Sequence, residues 1–457
     1  MAIIIPGNGH NLSVSDDNSN GDTIIVGNGA NDMVSAASSQ YDMIVLGNGA
    51  NDMVSAASSQ YDVIVLGSGA NDTVSAASSQ YDTMVLGDGA GDIVNALGKT
   101  GDPALPGSQY DTITLGNGRG DMVNLFGAFN DTITLGNGAG DMVSATPNLS
   151  DFSSRYNRIA LGNGTADTVR LDNSQGDTIT LGDGAVDVVD ITGSYPSSGD
   201  KISLGNGAGD SVNVSYTYDS ANTIVVGDGA GDSVLFAGSN DSIKVGDGAS
   251  DVVSYSYGVD NTISVGNGEA DAVTMGFGSD NNVILGNGAN DEVNNNGRTP
   301  GGKNTIMLGN GAGDVVNDAG SNETITVGNG ADTVTVGGNS TITVGNGADT
   351  VTAGADSTIT LGNGADTVTT ISSLINGGHG HDTFVFTGSF GLDTITNFSA
   401  PHDTIVLAQA MFANFEAVQS HMMQVGANTV ITYDPANMIT LTDVKASTLQ
   451  AGDFKFV

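Results

Sequence analysis

Aspartate returns at a fixed place after a glycine turn along almost the whole chain. The series is Asp32, Asp52, Asp72, Asp92, Asp121, Asp141, Asp167, Asp187, Asp210, Asp232, Asp251, Asp271, Asp291, Asp314, Asp332, Asp349, Asp366 and Asp382. A typical copy reads Gly47-Asn48-Gly49-Ala50-Asn51-Asp52. Carboxylates beside tight, glycine-permitted turns are the donor set of a hard cation, and calcium fits best. A second series precedes a strand: Asp42, Asp62, Asp82, Asp111, Asp131, Asp177, Asp200 and Asp241, with Asn157, Asn222, Asn261 and Asn304 in other copies. Either series can also be read as Asx-turn residues bonding their own backbone, a job that Asn does equally well. The first series never uses Asn and the second does. The first therefore reads as a calcium column, and the second stays open between turn residue and ligand.

Stacked repeats would bring these carboxylates into register. Two unit charges ~4.8 Å apart repel by about 3.5 kcal/mol at an effective dielectric of 20. Screening reduces that figure without removing it. The chain has 51 acidic residues against 11 Lys and Arg, a formal charge of −40. So few cationic side chains cannot neutralise the column, whereas bound divalent cations can.

The elements that must position the column form a repeat. Its unit is Asp-Thr-Ile-Thr-Leu-Gly-Asn-Gly-Ala-Gly-Asp-Met-Val plus a variable stretch. The first turn glycine recurs mostly every 19 to 23 residues, with two longer intervals of 29 and 26 and final ones of 17, 17 and 16. Copies between Asp32 and Asp82 are nearly identical. Each unit holds two short strand signals. In the first, Ile113 and Leu115 share one face and Thr112 and Thr114 the other. Insertions fall between the second strand and the next first strand, as in a solenoid with a fixed core and one variable rim. The expectation is an all-β, parallel β-solenoid of about 18 coils, a rod of very roughly 85 Å at ~4.8 Å per coil. Residues 1–22 would form an N-terminal cap or partial coil, 23–375 the repeats and 376–457 a C-terminal module with one short helix suggested by Met411, Phe415, Val418 and Met422.

Composition excludes several classes. The charge opposes binding to nucleic acid and docking on anionic membranes. The absence of cysteine excludes disulfides and thiolate metal sites. No apolar run reaches the ~20 residues of a membrane span, so membrane insertion is not expected. A conventional cleaved signal peptide is not expected either, because Met1 to Pro6 lacks a basic region.

At these residues the chain resembles the repeats-in-toxin (RTX) family, whose nonapeptide is Gly-Gly-x-Gly-x-Asp-x-aliphatic-x. Asn376-Gly377-Gly378-His379-Gly380-His381-Asp382-Thr383-Phe384 matches in full, and the copies ending Asp332-Thr333-Val334, Asp349-Thr350-Val351 and Asp366-Thr367-Val368 match closely. The resemblance implies a right-handed β-roll with calcium in its turns, held by those aspartates with Gly328, Gly330, Gly345, Gly347, Gly362, Gly364, Gly378 and Gly380. It also implies export through type I secretion machinery and folding in external calcium. Upstream copies carry one more residue before the aspartate, such as Asn51 or Gly140. The Phe-rich tail, including Phe384-Val385-Phe386, Asp403-Thr404-Ile405 and the final Gly452-Asp453-Phe454-Lys455-Phe456, is similar to the family's capping and export module.

No segment is left over for a catalytic head, so the repeat itself is expected to be the function and an enzyme is not. The leading expectation is a secreted, calcium-ordered structural protein that assembles with itself into a surface layer, filament or biofilm matrix. The alternative is a calcium-dependent adhesin. Threonine pairs such as Thr112/Thr114, Thr178/Thr180 and Thr341/Thr343 would face outward and suit ice, with Met43/Val45, Lys201/Ser203 and Ser242/Lys244 interrupting them; a cell-surface polysaccharide is the other ligand of such an adhesin. Arg155, Arg158 and Arg170 cluster in sequence and are the best candidates for a uronate-processing groove. The dispersed histidines and the Arg119-Gly120-Asp121 tripeptide read as repeat positions without a role of their own.

Overall fold

The computed structural model describes residues 2–97, 107–146, 154–193, 198–214, 221–295 and 302–457. Residues 98–106, within the longest interval between turn glycines (Gly87 to Gly116), lie outside them. The chain divides into two compact units, Met1–Val245 and Gly246–Val457. Each is a parallel β-solenoid, nearly all β.

In the first unit, one coil is a strand, the glycine turn, a second strand and a rim. Strands Met43–Val45 and Met53–Ser55 form one such coil. Met43 pairs with Thr23 in the preceding coil and Val63 in the next, while Met53 pairs with Met33 and Thr73. Alternation decides which side chains go in. Ile44, Leu46, Val54 and Ala56 are buried, and Met43 and Met53 face out. The core between the two sheets is accordingly thin. Each buried Ile, Leu or Val contributes roughly 1.5–3 kcal/mol by leaving water. Residues 2–22 already make a coil of this kind, with Ile3 on Thr23 and Val14 on Val34.

The additional turn residue of the upstream copies has a defined job. Asn31, Asn51, Asn71, Gly91, Gly120 and Gly140 all take left-handed backbone, with φ between 60° and 74°. Their N–H groups then point up the stack, as when Asn51 donates to the Ala70 carbonyl at 2.9 Å. The opposite rim uses the same conformation at a less obvious residue. Tyr41, Tyr61, Tyr81 and Tyr110 have φ near 60°. Their rings stack face to face, with centroids 5.0, 4.9 and 4.8 Å apart.

The second unit repeats the design, and its coils tighten from Gly328 onward. Thr324–Thr326, Thr341–Thr343 and Thr358–Thr360 pair in register, as do Thr333–Val336, Thr350–Ala353 and Thr367–Thr369. Its last coil passes into a small cap. Strand Leu392–Thr396 pairs in parallel with Asn437–Leu441, which in turn pairs antiparallel with Asn428–Asp434. Phe384, Phe386, Phe390, Phe398, Phe412 and Phe454 fill this end. The expected helix is shorter than the Met411-to-Met422 spacing suggests. It runs Phe415–Ser420, capped by Asn414, whose Oδ1 accepts the Ala417 N–H at 3.0 Å. Met422 is needed elsewhere, opening the strand that pairs with Ile431.

Candidate metal-binding column

The aspartates after the glycine turn do come together, as an internal ladder. Asp52 is 1% exposed. Its Oδ1 accepts the backbone N–H of Asp32 at 2.9 Å, and Asp72 Oδ1 accepts that of Asp52 at 2.9 Å. The same link joins Asp121 to Asp141, Asp187 to Asp210 and Asp210 to Asp232 in the first unit. In the second it joins Asp251 to Asp271, Asp291 to Asp314, Asp332 to Asp349, Asp349 to Asp366 and Asp366 to Asp382. One carboxyl oxygen per residue is thereby used. The other, Oδ2, is buried without a hydrogen-bond partner in Asp32, Asp52, Asp72, Asp92, Asp121, Asp141, Asp167, Asp187 and Asp210 of the first unit. The same holds for Asp271, Asp291, Asp314, Asp332, Asp349, Asp366 and Asp382 of the second. Buried polar atoms are rarely left so, and a recurrent exception calls for a ligand or a proton.

The second glycine of each turn completes the surroundings. A Cβ on Gly49 would lie 1.6 Å from the Gly29 carbonyl oxygen and 2.8 Å from Asp52 Oδ2. One on Gly347 would lie 1.5 Å from the Gly330 carbonyl, and one on Gly364 equally close to that of Gly347. Glycine carbonyls and orphaned carboxyl oxygens thus converge where no side chain fits. The first glycines stack likewise, Gly345 on the Gly328 carbonyl, Gly362 on that of Gly345 and Gly378 on that of Gly362. At the last turn the Gly362 and Gly364 carbonyls accept the N–H groups of His379 and His381, at 2.9 and 3.0 Å, and Gly380 closes over Gly364.

The electrostatics agree with the geometry. Burial, aided by neighbouring carboxylates, pushes Asp72, Asp121 and Asp187 up to about 7. Asp332 and Asp349 rise to about 6 and Asp382 to about 7. Ionised carboxylates are therefore costly here without a counter-charge. The donor chemistry fits a hard cation: a free carboxylate oxygen and glycine carbonyls, with no nitrogen or sulfur. The described residues contain no group of three or more His, Cys, Asp or Glu placed to hold a metal. Any such cation would then lean on backbone carbonyls as much as on carboxylates.

The second series is built differently. Asp62 and Asp82 each accept a backbone N–H from the preceding coil, at 2.9 Å. Asn157, Asn222 and Asn281 do the same with their amide oxygens. Farther along, Glu323, Ser340, Ser357 and Ser373 take over the position. Any acceptor suffices, so this is a hydrogen-bond ladder. Its bonds run to the next coil and not to the local backbone of a turn, and the Oδ2 atoms of Asp42 and Asp177 are buried without a partner as in the first series. Sequence reasoning missed Glu323 and these serines. It also missed Asp403, which extends the first column by accepting the Asp382 N–H at 3.0 Å. The signal was present in Asp403-Thr404-Ile405, which copies the aspartate-before-strand pattern.

Arg158 and Arg170 lie on different sheets. Arg158 faces out from the first sheet beside Thr132 and Thr178, while Arg170 faces out from the second, 4.0 Å from Asp190. No protein-family model matches the chain, and no curated protein does. Among solved structures, the extracellular lipase LipA from Serratia marcescens aligns at 16% identity and a TM-score of 0.17. The match covers 49% of this chain and only 39% of the lipase. A likeness at that score establishes neither family nor activity. No helix among the described residues is long and apolar enough to cross a membrane.

Proposed function

We propose that this chain is a secreted structural protein whose β-solenoid folds on calcium and then assembles with copies of itself into an extracellular layer, filament or matrix. The observation that carries the reading is the column of buried aspartates whose Oδ2 atoms lack a partner. A fold that repeats this feature in coil after coil favours an environment rich in a divalent cation, which the outside of a cell supplies. Bound calcium would provide positive charge between coils. Around it the aspartate Oδ1 atoms hold the backbone of the neighbouring coil, and the second glycine of each turn keeps the space open. In this reading the protein is not an enzyme, and it leaves the cell through type I secretion machinery.

The test is electron microscopy and circular dichroism of the purified protein with calcium and with chelator. Ordered assemblies and β structure should appear with calcium and be lost on chelation. Monodisperse monomers under both conditions sink the assembly claim, and full folding in excess chelator at neutral pH sinks the calcium claim. A second reading, a glycan-binding adhesin, is favoured by the hydroxyl-rich outer face that carries Arg158, Lys201 and Lys244.

A further inference from the structure

The outward rows of the first sheet in the first unit can be followed by register. One runs Thr112, Thr132, Arg158, Thr178, Lys201, Thr223, Ser242, and the other Thr114, Thr134, Ala160, Thr180, Ser203, Val225, Lys244. Neither row contains a carboxylate, in a chain with 51 acidic residues. The second sheet of the same unit differs, because Asp172 and Asp190 face outward there beside Arg170. Arg158, Lys201 and Lys244 are exposed. None of them makes an ion pair among the described residues, where Arg170 does. Unpaired cations on an otherwise neutral face of so acidic a protein are available for an anion.

Arg158 and Lys201 share the first row, and Lys244 stands in the second row, two residues farther along its strand. Thr178 lies between Arg158 and Lys201, and Thr223 between Lys201 and the coil of Lys244. A cation therefore recurs at every second coil, a rise of ~9.5 Å along the stack, with the last one offset sideways by one row. Ala160 interrupts the threonine row and leaves a shallow groove of about 160 Å³ beside Arg158, lined also by Thr132, Thr134, Thr178 and Thr180. One coil step is close to the length of one sugar ring in an extended polysaccharide. A polymer that carries a carboxylate on every second ring would meet a cation at each, with threonine hydroxyls facing its own hydroxyls. The rigid sheet loses little freedom on binding.

We infer that this face binds an acidic, uronate-containing polysaccharide, with its carboxylates on Arg158, Lys201 and Lys244. The inference rests on the adhesin reading above and gives it a ligand class. The test uses the full chain in calcium against immobilised hyaluronan, carboxyl-reduced hyaluronan and neutral dextran. The triple variant Arg158→Thr/Lys201→Thr/Lys244→Val installs residues that other coils already carry in these rows, so the fold is retained and circular dichroism checks it. Expected are binding to hyaluronan, a roughly tenfold loss on carboxyl reduction, and a similar loss in the triple variant. Arg170→Ser, on the other sheet, should bind as the parent does. Undiminished binding by the triple variant, or equal binding to the carboxyl-reduced polymer, overturns the inference. Equal binding to dextran keeps the adhesin reading while overturning the acidic ligand. No binding to any of the three overturns both.

Discussion

Ser39 Oγ lies 2.6 Å from Asp62 Oδ2 and 2.7 Å from the carbonyl oxygen of Ala36. A hydroxyl has one hydrogen to donate, and both neighbours are acceptors unless the carboxyl carries a proton. With the carboxyl protonated, Asp62 donates to Ser39 and Ser39 donates to Ala36, so that each contact has its own hydrogen. Ser79, between Ala76 and Asp111, repeats it, and so does Ser59 with Ala56 and Asp82. At these three carboxyls a proton satisfies the contact, whereas the Oδ2 atoms of Asp42 and Asp177 in the same column have no partner.

This gives a pH dependence with a definite sign. Burial pushes Asp82 up to about 8, and Asp111 and Asp131 up to about 7. Only other carboxylates (Asp42, Asp62, Asp111, Asp131 and Asp177) act on this column electrostatically, and serine and backbone groups supply its hydrogen bonds. The folded state holds protons that the unfolded chain releases near its ordinary value of 3.8. Stability is therefore fully present below that value and is lost as pH rises through about 7 to 8. In chelator, β structure lost at pH 8.5 should be regained toward pH 5, where the protonated column is more stable by a few kcal/mol. A flat or rising profile would contradict the protonated ladder.

Asp121 separates the two duties of the first column. Its Oδ1 accepts the Asp92 N–H at 3.0 Å, while its Oδ2 is unpartnered. Asp121→Asn keeps the acceptor, so the fold in calcium should be retained while calorimetry records less calcium bound. Asp121→Ala orphans a buried N–H and should cost about 1–3 kcal/mol. Equal calcium uptake by the Asn variant would remove Asp121 from the ligand set.

Gly49 is fixed by its neighbour in the stack. With a Cβ 1.6 Å from a backbone carbonyl, Gly49→Ala should destabilise the first unit by about 3 kcal/mol or more. Gly452, which has nothing within 4 Å, provides the control. Comparable melting temperatures for both alanine variants would show that the coils can separate to make room.

Val186 occupies the left-handed turn position with φ 58° and is 53% exposed. A β-branched residue is strained there, and Asn is not. Val186→Asn should gain about 1 kcal/mol, read as a rise in the denaturation midpoint.

The coil was legible because its signals are local. Thr112-Ile113-Thr114-Leu115 alternates, Gly116 and Gly118 turn the chain, and Asp121 never varies in type across copies. What sequence did not disclose depends on the neighbouring coil. Ser39 and Asp62 are 23 residues apart, and their partnership exists only after stacking. Tyr61 is not a turn-forming residue, and a left-handed tyrosine is unfavourable alone. Rings stacked 5.0 and 4.9 Å away on either side accompany it. Glu323 and Ser340 escaped notice because the position selects for an acceptor atom, and searching for aspartate overlooks them.

The register between coils such as Met43–Val45 and Val63–Val65 has a consequence for inheritance. Each coil offers its successor the same donors, acceptors and apolar row that it received. Copying or deleting one whole unit within this stretch leaves every neighbour with an equivalent neighbour. Length can therefore drift between generations by recombination among near-identical segments, while the chemistry of each layer stays constant.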